Sequence, residues 1–327
     1  MPEISVPEAG VPEVSVLVPC LNAASTVGAT LDSLAAQVWD RPWELLFVDN
    51  GSTDGSVAVL RERGAAHPGV AMRLVDASAR RGKSHAMNLA IGQARGRSIL
   101  FCDADDTVAP GWLAAMGTAL ESHDFVACRF DLAALNPDWV QAERSHPQVE
   151  RLTILPFPPH CPVAGGATLG LHRAVFEAVG PFDPAFPTNE DLDFCIRAYL
   201  KGYALRLVPD AVYNYRFRDT PEAIYRQAFA YARSEALLRR RYAGAPLLAP
   251  GPWLDLGRRT ARLSAGWVKR RLFGRSPDIL DQARFSRSYG TVLGDLAGSL
   301  AYRVAPRRRG GPPAAPTPQA AQPESSS

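Results

Sequence analysis

RSILFCDADD, residues 97–106, has the form of a buried strand that ends in acid. Ile99, Leu100, Phe101 and Cys102 form a short continuous apolar run, the pattern of a core strand in an open sheet. Asp103, Asp105 and Asp106 follow at once. In open α/β sheets ligands bind at the carboxyl ends of strands, and clustered carboxylate oxygens there suit Mg²⁺ or Mn²⁺ carrying a diphosphate. A plainer use for acids at this point is helix capping, with Thr107 ahead of Pro110 and negative charge favouring the positive end of the next helix. A cap needs one such residue, and three acids are present.

The upstream sequence repeats the pattern. VSVLV (14–18) stops at Pro19, followed by Cys20, Leu21 and Asn22; LLFV (45–48) stops at Asp49 and the turn residues Asn50 to Gly55; MRLV (72–75) leads to Asp76, Arg80, Arg81, Gly82 and Lys83. Between these runs, Val27/Leu31/Leu34, Val57/Leu60/Arg61 and Met87/Leu89/Ala90/Ile91 have helical spacing. Strand and helix alternate, which predicts βαβ units with a parallel sheet and right-handed crossovers. Each strand then delivers its polar residues to one rim. No G-x-G-x-x-G follows the first strand, so a dinucleotide-binding Rossmann domain is not expected.

VSVLVPCLNAASTVGATLDSL, LLFVDNGSTDGS, GKSHAMNLAIGQARGRSILFCDADD and GGATLGLHRAVFEAVGPFDPAFPTNEDLDFCIRAYLKGY occur in that order between residues 14 and 218. This series resembles the successive motifs of the family-2 glycosyltransferases. The resemblance implies a GT-A fold, α/β with a Rossmann-like, mostly parallel central sheet flanked by helices. A nucleotide-diphosphate sugar would bind over residues 14–106 and an acceptor hydroxyl over 107–219. It further implies that Pro19 and Asn22 underlie the nucleotide and that Asp49 contacts its base or ribose. Asp103, Ala104 and Asp105 would form a DxD motif facing the nucleotide sugar, with Asp103 and Asp105 on Mg²⁺ or Mn²⁺. Arg81 and Lys83 can neutralise phosphate oxygens or be solvated surface charge. Asp54 reads as an N-cap for a helix starting near Gly55.

Thr188, Asn189, Glu190 and Asp191 precede LDFCIRAYL, in which Leu192, Ile196 and Tyr199 share a helical face. Asn189 or Thr188 can cap that helix, with the acids in its first turn. The same position favours an ionised carboxylate, the form a general base requires. By the resemblance, Glu190 and Asp191 are the catalytic pair. Asp191 would take the proton of the acceptor hydroxyl as its oxygen displaces the diphosphate in a single inverting step. The chain departs from the family after LRLVP (205–209), where VYNYRFR lacks the histidine that many members carry near Tyr213 to Tyr215. Asn214, Tyr215, Arg216 or Arg218 can take its place toward phosphate. That departure also keeps open a catalytically retired, sugar-nucleotide-binding scaffold. Among enzymes, the rival is a nucleotidyltransferase of related architecture.

LTILPFPPHCPVAGGATLGL, residues 152–171, carries no Asp, Glu, Lys or Arg and is long enough to span a bilayer. Pro156, Pro158, Pro159 and Pro162, with Gly165 and Gly166, forbid a continuous helix, so a partly buried loop leading to a strand before His172 is expected. By the resemblance this region lines the acceptor site, so His160 and the Gly165–Gly166 turn either border the acceptor or are structural.

The 327 residues exceed one ordinary core, at 46% hydrophobic and 21% charged. We expect a flexible segment over 1–13, the catalytic domain over 14–219, a packing helix within 220–245, a basic helical extension over 246–305 and a disordered Pro/Ala/Ser-rich tail over 306–327. PEAIYRQAFAYARSEALLRRRY (221–242) begins with Pro after Thr220 and spaces Ile224, Ala228, Tyr231 and Leu238 helically, with a break following at 245–252. Residues 251–309 hold 13 Lys or Arg and 4 Asp or Glu, so 13 − 4 gives +9 in a chain of net charge +3. Leu256, Leu263 and Trp267 fall opposite Arg258, Arg259, Arg262 and Lys269, with Arg271 intruding. Such a helix suits an anionic membrane surface, or else packs on the enzyme or a partner. The odd, scattered cysteines 20, 102, 128, 161 and 195 read as buried thiols of a reducing compartment. The N-terminal MPEISVPEAGVPE does not read as a signal peptide. The expected location is the cytoplasm, peripheral at the inner face of the membrane, and no nucleic-acid partner is expected.

Overall fold

A computed structural model describes residues 11–143, 146–155, 161–242, 253–273 and 278–306. Residues 1–10, His160, the break at 245–252 and the tail from 307 onward lie outside the described residues, as do the side chains of Lys269 and Arg271.

The apolar runs form strands and the periodic segments between them form helices. The order is β1 (Val14–Cys20), α1 (Val27–Ala35), β2 (Trp43–Asp49), α2 (Ser56–Ala65), β3 (Met72–Asp76), α3 (Lys83–Gln93) and β4 (Ser98–Phe101). Then come β5 (Thr107–Val108), α4 (Trp112–Ser122), β6 (Phe125–Asp131), α5 (Asp138–Glu143), β7 (Thr153–Leu155), β8 (Cys161–Val163) and β9 (Leu169–His172). The chain continues through α6 (Arg173–Val179), α7 (Glu190–Leu200), β10 (Leu205–Asn214), α8 (Pro221–Arg241), α9 (Trp253–Phe273) and α10 (Ile279–Tyr302).

Eight strands make one sheet in the order β3-β2-β1-β4-β9-β6-β10-β5. The pairs β1/β2, β2/β3, β1/β4 and β6/β10 are parallel, and β9 runs antiparallel between β4 and β6. All four residues of β4 are buried, as expected of a strand covered on both faces. Leu17, Leu46 and Phe101 belong to a core that includes Met87 and Ile91 of α3; Val16, Phe47 and Leu100 belong to one that includes Leu31 and Leu34 of α1. Alternate residues of each strand therefore serve opposite layers.

Two local expectations are corrected, and two alternatives weighed in the sequence are decided. Thr107 is in a strand rather than at a cap, and α4 starts after Gly111. Asp54 precedes the N-cap position, held by Gly55, although its Oδ1 does accept the Ser56 N–H at 3.1 Å. Around the undescribed 156–160, the apolar stretch is not a loop alone: β7 and β8 pair as an antiparallel hairpin, Thr153 opposite Val163. On α9, the Leu256/Leu263/Trp267 side is turned inward: Leu256 is buried and Trp267 stacks on Phe285 of α10 at 4.2 Å.

The Thr220 hydroxyl accepts the Ala223 N–H at 3.3 Å and caps α8, which packs lengthwise on α10. A Cβ on Gly290 would stand 2.5 Å from the Tyr225 carbonyl and one on Gly298 2.6 Å from that of Arg233, so glycine lets the two backbones meet. The buried Arg239–Asp295 pair, 2.5 Å apart, joins the same helices. No helix among the described residues is long and apolar enough to cross a membrane.

Candidate active site

The carboxyl ends of β1, β2 and β4 lie side by side, so their loops meet. Asn22, at φ 53°, accepts the Thr53 N–H on Oδ1 at 2.8 Å, and its own N–H donates to the Ser52 hydroxyl at 3.0 Å. Asp49 Oδ1 accepts the Ser52 N–H at 3.0 Å, while Pro19 pairs with Val48 in the β1/β2 ladder. Buried Asn50 donates to the Ala77 and Arg80 carbonyls at 2.7 and 2.8 Å and accepts the Gly82 N–H at 2.7 Å, tying β2 to the loop before α3. Arg81 is exposed, but Lys83 reaches inward to Asp103 Oδ1 at 2.6 Å. Burial opposes the charge on Lys83; Asp103, then Glu190 and Asp191, outweigh it and hold its pKa above the ordinary lysine value.

The three acids after β4 divide their work. Asp106 is buried, its Oδ2 accepting the Tyr213 hydroxyl at 2.9 Å and its Oδ1 the Arg216 N–H at 2.6 Å. Burial first, then Asp105 and Asp103, push its pKa well up. The Tyr213 hydroxyl also accepts the Asp103 N–H at 2.9 Å, and the buried Ala104 carbonyl accepts the Thr26 and Thr30 hydroxyls at 2.9 and 3.0 Å. These bonds fix the loop and leave Asp103 and Asp105 half-exposed. One carboxylate oxygen from each of the three acids lies within 4.8 Å of the others. This hard-oxygen set fits a divalent cation such as Mg²⁺ or Mn²⁺, with Asp103 and Asp105 the accessible ligands. Arg216 and Arg218 both bring positive charge to this place: Arg216 Nε donates to the Asp105 carbonyl at 2.9 Å and Arg218 Nη1 is 2.8 Å from Asp105 Oδ2, while Asn214 donates to Thr107 at 2.9 Å.

Glu190 and Asp191 begin α7. Asn189 occupies the N-cap position at φ 64° without a side-chain cap, its amide donating instead to the Tyr231 carbonyl at 3.2 Å. Thr188 donates to the Ala230 carbonyl at 3.2 Å, so neither expected cap forms. Asp191 accepts the Gly166 N–H on Oδ2 at 2.7 Å and the Leu192 N–H on Oδ1 at 2.8 Å. Burial raises the pKa of both acids; Lys83 and the Gly166 N–H act against this at Asp191, and Asp191 itself adds to the rise at Glu190. Lys83, Asp103, Glu190 and Asp191 line one cavity of about 720 Å³, which Gly165 and Gly166 border. Sequence reading missed two of its other walls. His146 lies edge-on to Phe130 and is pushed down to about 4 by burial, and Tyr231 enters from α8.

A family model described as glycosyl transferase family 2 matches residues 15–180, and one described as glycosyl transferase family group 2 matches 98–273. The chain belongs to glycosyltransferase family 2. It is 24% identical to the glycosyltransferase AglE of Haloferax volcanii over 66% of this chain and 71% of that one. It is 30% identical to the succinoglycan biosynthesis protein ExoO of Rhizobium meliloti, over 64% of this chain and 62% of that one. Its fold is similar to the mannosyltransferase PcManGT from Pyrobaculum calidifontis, solved with GDP-Man and Mn²⁺, at TM-score 0.59 and 23% identity over 91% of this chain and 89% of that chain. It is also similar to S. aureus TarS 1–349 in complex with UDP, at TM-score 0.51 and 19% identity over 87% and 91% of the two chains. The architecture is the expected GT-A type.

Proposed function

We propose that the protein transfers a sugar from a nucleotide-diphosphate sugar to an acceptor hydroxyl with inversion, assisted by Mg²⁺ or Mn²⁺. The observation that carries this reading is the shared cavity of Asp103, Lys83 and Asp191. Pro19, Asn22 and Asp49 hold the nucleotide end, and Arg81 and Lys83 face its phosphates. Asp103 and Asp105 hold the cation, with Ala104 fixing the loop between them. When bound, the cation supplies stabilisation of the charge on the departing diphosphate. Asp191, held by two backbone N–H groups, takes the acceptor proton, and Glu190 supports it at the helix start. Arg218 supplies positive charge beside Asp105.

The enzyme acts in the cytoplasm, at an anionic membrane surface. The five cysteines are free and buried, which fits a reducing compartment. On α9 the outward side, not the one expected, carries exposed Trp253, Leu254 and Val268 beside exposed Arg258 and Arg262. The test of the reaction is incubation with nucleotide sugars and Mn²⁺, following nucleoside diphosphate release and the product's anomeric configuration by NMR. An inverted product is expected; a retained configuration, or release of inorganic diphosphate, would contradict the reading.

A further inference from the structure

Helix α8 lies beyond the segment that bears the family motifs, yet one side of it walls the cavity. Ile224, Gln227, Ala228, Tyr231, Ala232 and Glu235 recur every three or four residues and all line it. This side mixes aliphatic, amide, phenol and carboxylate groups where it faces the cavity. Tyr231 is 46% exposed and lines the same cavity as Asp191, Lys83 and Asp103. The helix is also fastened to the turn that aims Asp191. Besides the Thr188 and Asn189 bonds to α8 carbonyls, Arg241 Nη1 and the Tyr242 hydroxyl bind Asp193 of α7 at 2.9 and 2.8 Å. Tyr231 is therefore held in register with Asp191.

We propose that this side of α8 is an acceptor subsite and that the acceptor presents a sugar ring to it, the ring's C–H face on Tyr231 and its hydroxyls toward Gln227 and Glu235. A pyranose is apolar on its faces and hydroxylated at its rim, which is what an aromatic ring flanked by an amide and a carboxylate complements. A cavity of about 720 Å³ has room for such a ring beside the reacting groups. The inference rests on the proposed role of Asp191.

The test is saturation-transfer NMR on the full chain with Mn²⁺ and UDP or GDP, using methyl α- and β-hexopyranosides as probes and 1,6-hexanediol as the non-sugar comparison. At least one pyranoside should receive saturation at its ring protons, lose affinity tenfold or more in Tyr231→Ala and keep it within threefold in Tyr231→Phe. Nucleotide affinity, read in the same samples, should stay within twofold and reports folding. Equal pyranoside binding in Tyr231→Ala, or binding of the diol alone, or of no probe while nucleotide binds, would overturn the inference and leave the donor reading standing. Failure of the parent to bind either nucleotide would overturn the donor reading and the inference with it.

Discussion

Asp103 and Asp191 line one cavity, with Asp105 beside Asp103, and these acids are held by different means. Asp103 and Asp105 are paired with the side-chain cations Lys83 and Arg218, which can swing aside. Asp191 is held by the backbone N–H groups of Gly166 and Leu192, which cannot. Side-chain partners suit a site that must admit a cation and a diphosphate and then release them. Fixed dipoles suit a group that must stay aimed at one proton through the reaction. On the proposed reading, the contrast separates a binding end of the cavity from a reacting end.

The largest effect should come at the binding end. Asp105→Ala should weaken Mn²⁺-dependent donor binding by about 100-fold, since even outer-shell changes cost roughly 10–100-fold in metal affinity. Calorimetry with and without Mn²⁺ checks this, and parental binding would remove Asp105 from the metal site. Asp106→Ala tests the loop beneath it. The Tyr213 hydroxyl and Arg216 N–H would lose their acceptor, at about 1–3 kcal/mol for each buried donor left unsatisfied, read as a lowered melting temperature.

At the reacting end the effects are finer. A Cβ on Gly166 would lie 3.0 Å from that of Asp191, so Gly166→Ala should displace the carboxylate and slow transfer by roughly tenfold while donor affinity holds. The pH profile carries a sign. Burial raises the Asp191 pKa, so the base protonates early and transfer should fall, as pH is lowered, already above the ordinary aspartate range. Lys83 acts to lower that pKa, so Lys83→Met should move the acid limb to higher pH; an unmoved limb would separate Lys83 from the base. The smallest effect is outside the cavity. Arg258→Ala should weaken binding to anionic vesicles by roughly fivefold at low salt, from about 1 kcal/mol per basic residue at the surface.

The binding end was the more legible in sequence. Its strands are short apolar runs and its acids follow them directly, so local pattern places Asp49, Asp103 and Asp105 on one rim. The reacting end is assembled from distant segments. Asp191 was legible from its helix start, but not its bond to Gly166, 25 residues away, nor Tyr231 on a helix that reads as a packing element. Asp106 looked like its neighbours because nothing local reveals Tyr213, 107 residues on. On α9 periodicity found the amphipathic side but not which way it faces, since α10 offers an apolar partner as good as lipid.

The most direct test of the division between binding and reacting is Asp191→Asn, with initial transfer rate and donor Kd measured at equal folded fraction. Asn is nearly isosteric and keeps an acceptor for the Gly166 N–H, but it cannot take a proton. Transfer should fall by roughly 10² or more while donor Kd stays within a few-fold. Transfer at the parental rate would contradict the account and leave Asp191 a first-turn acid of its helix.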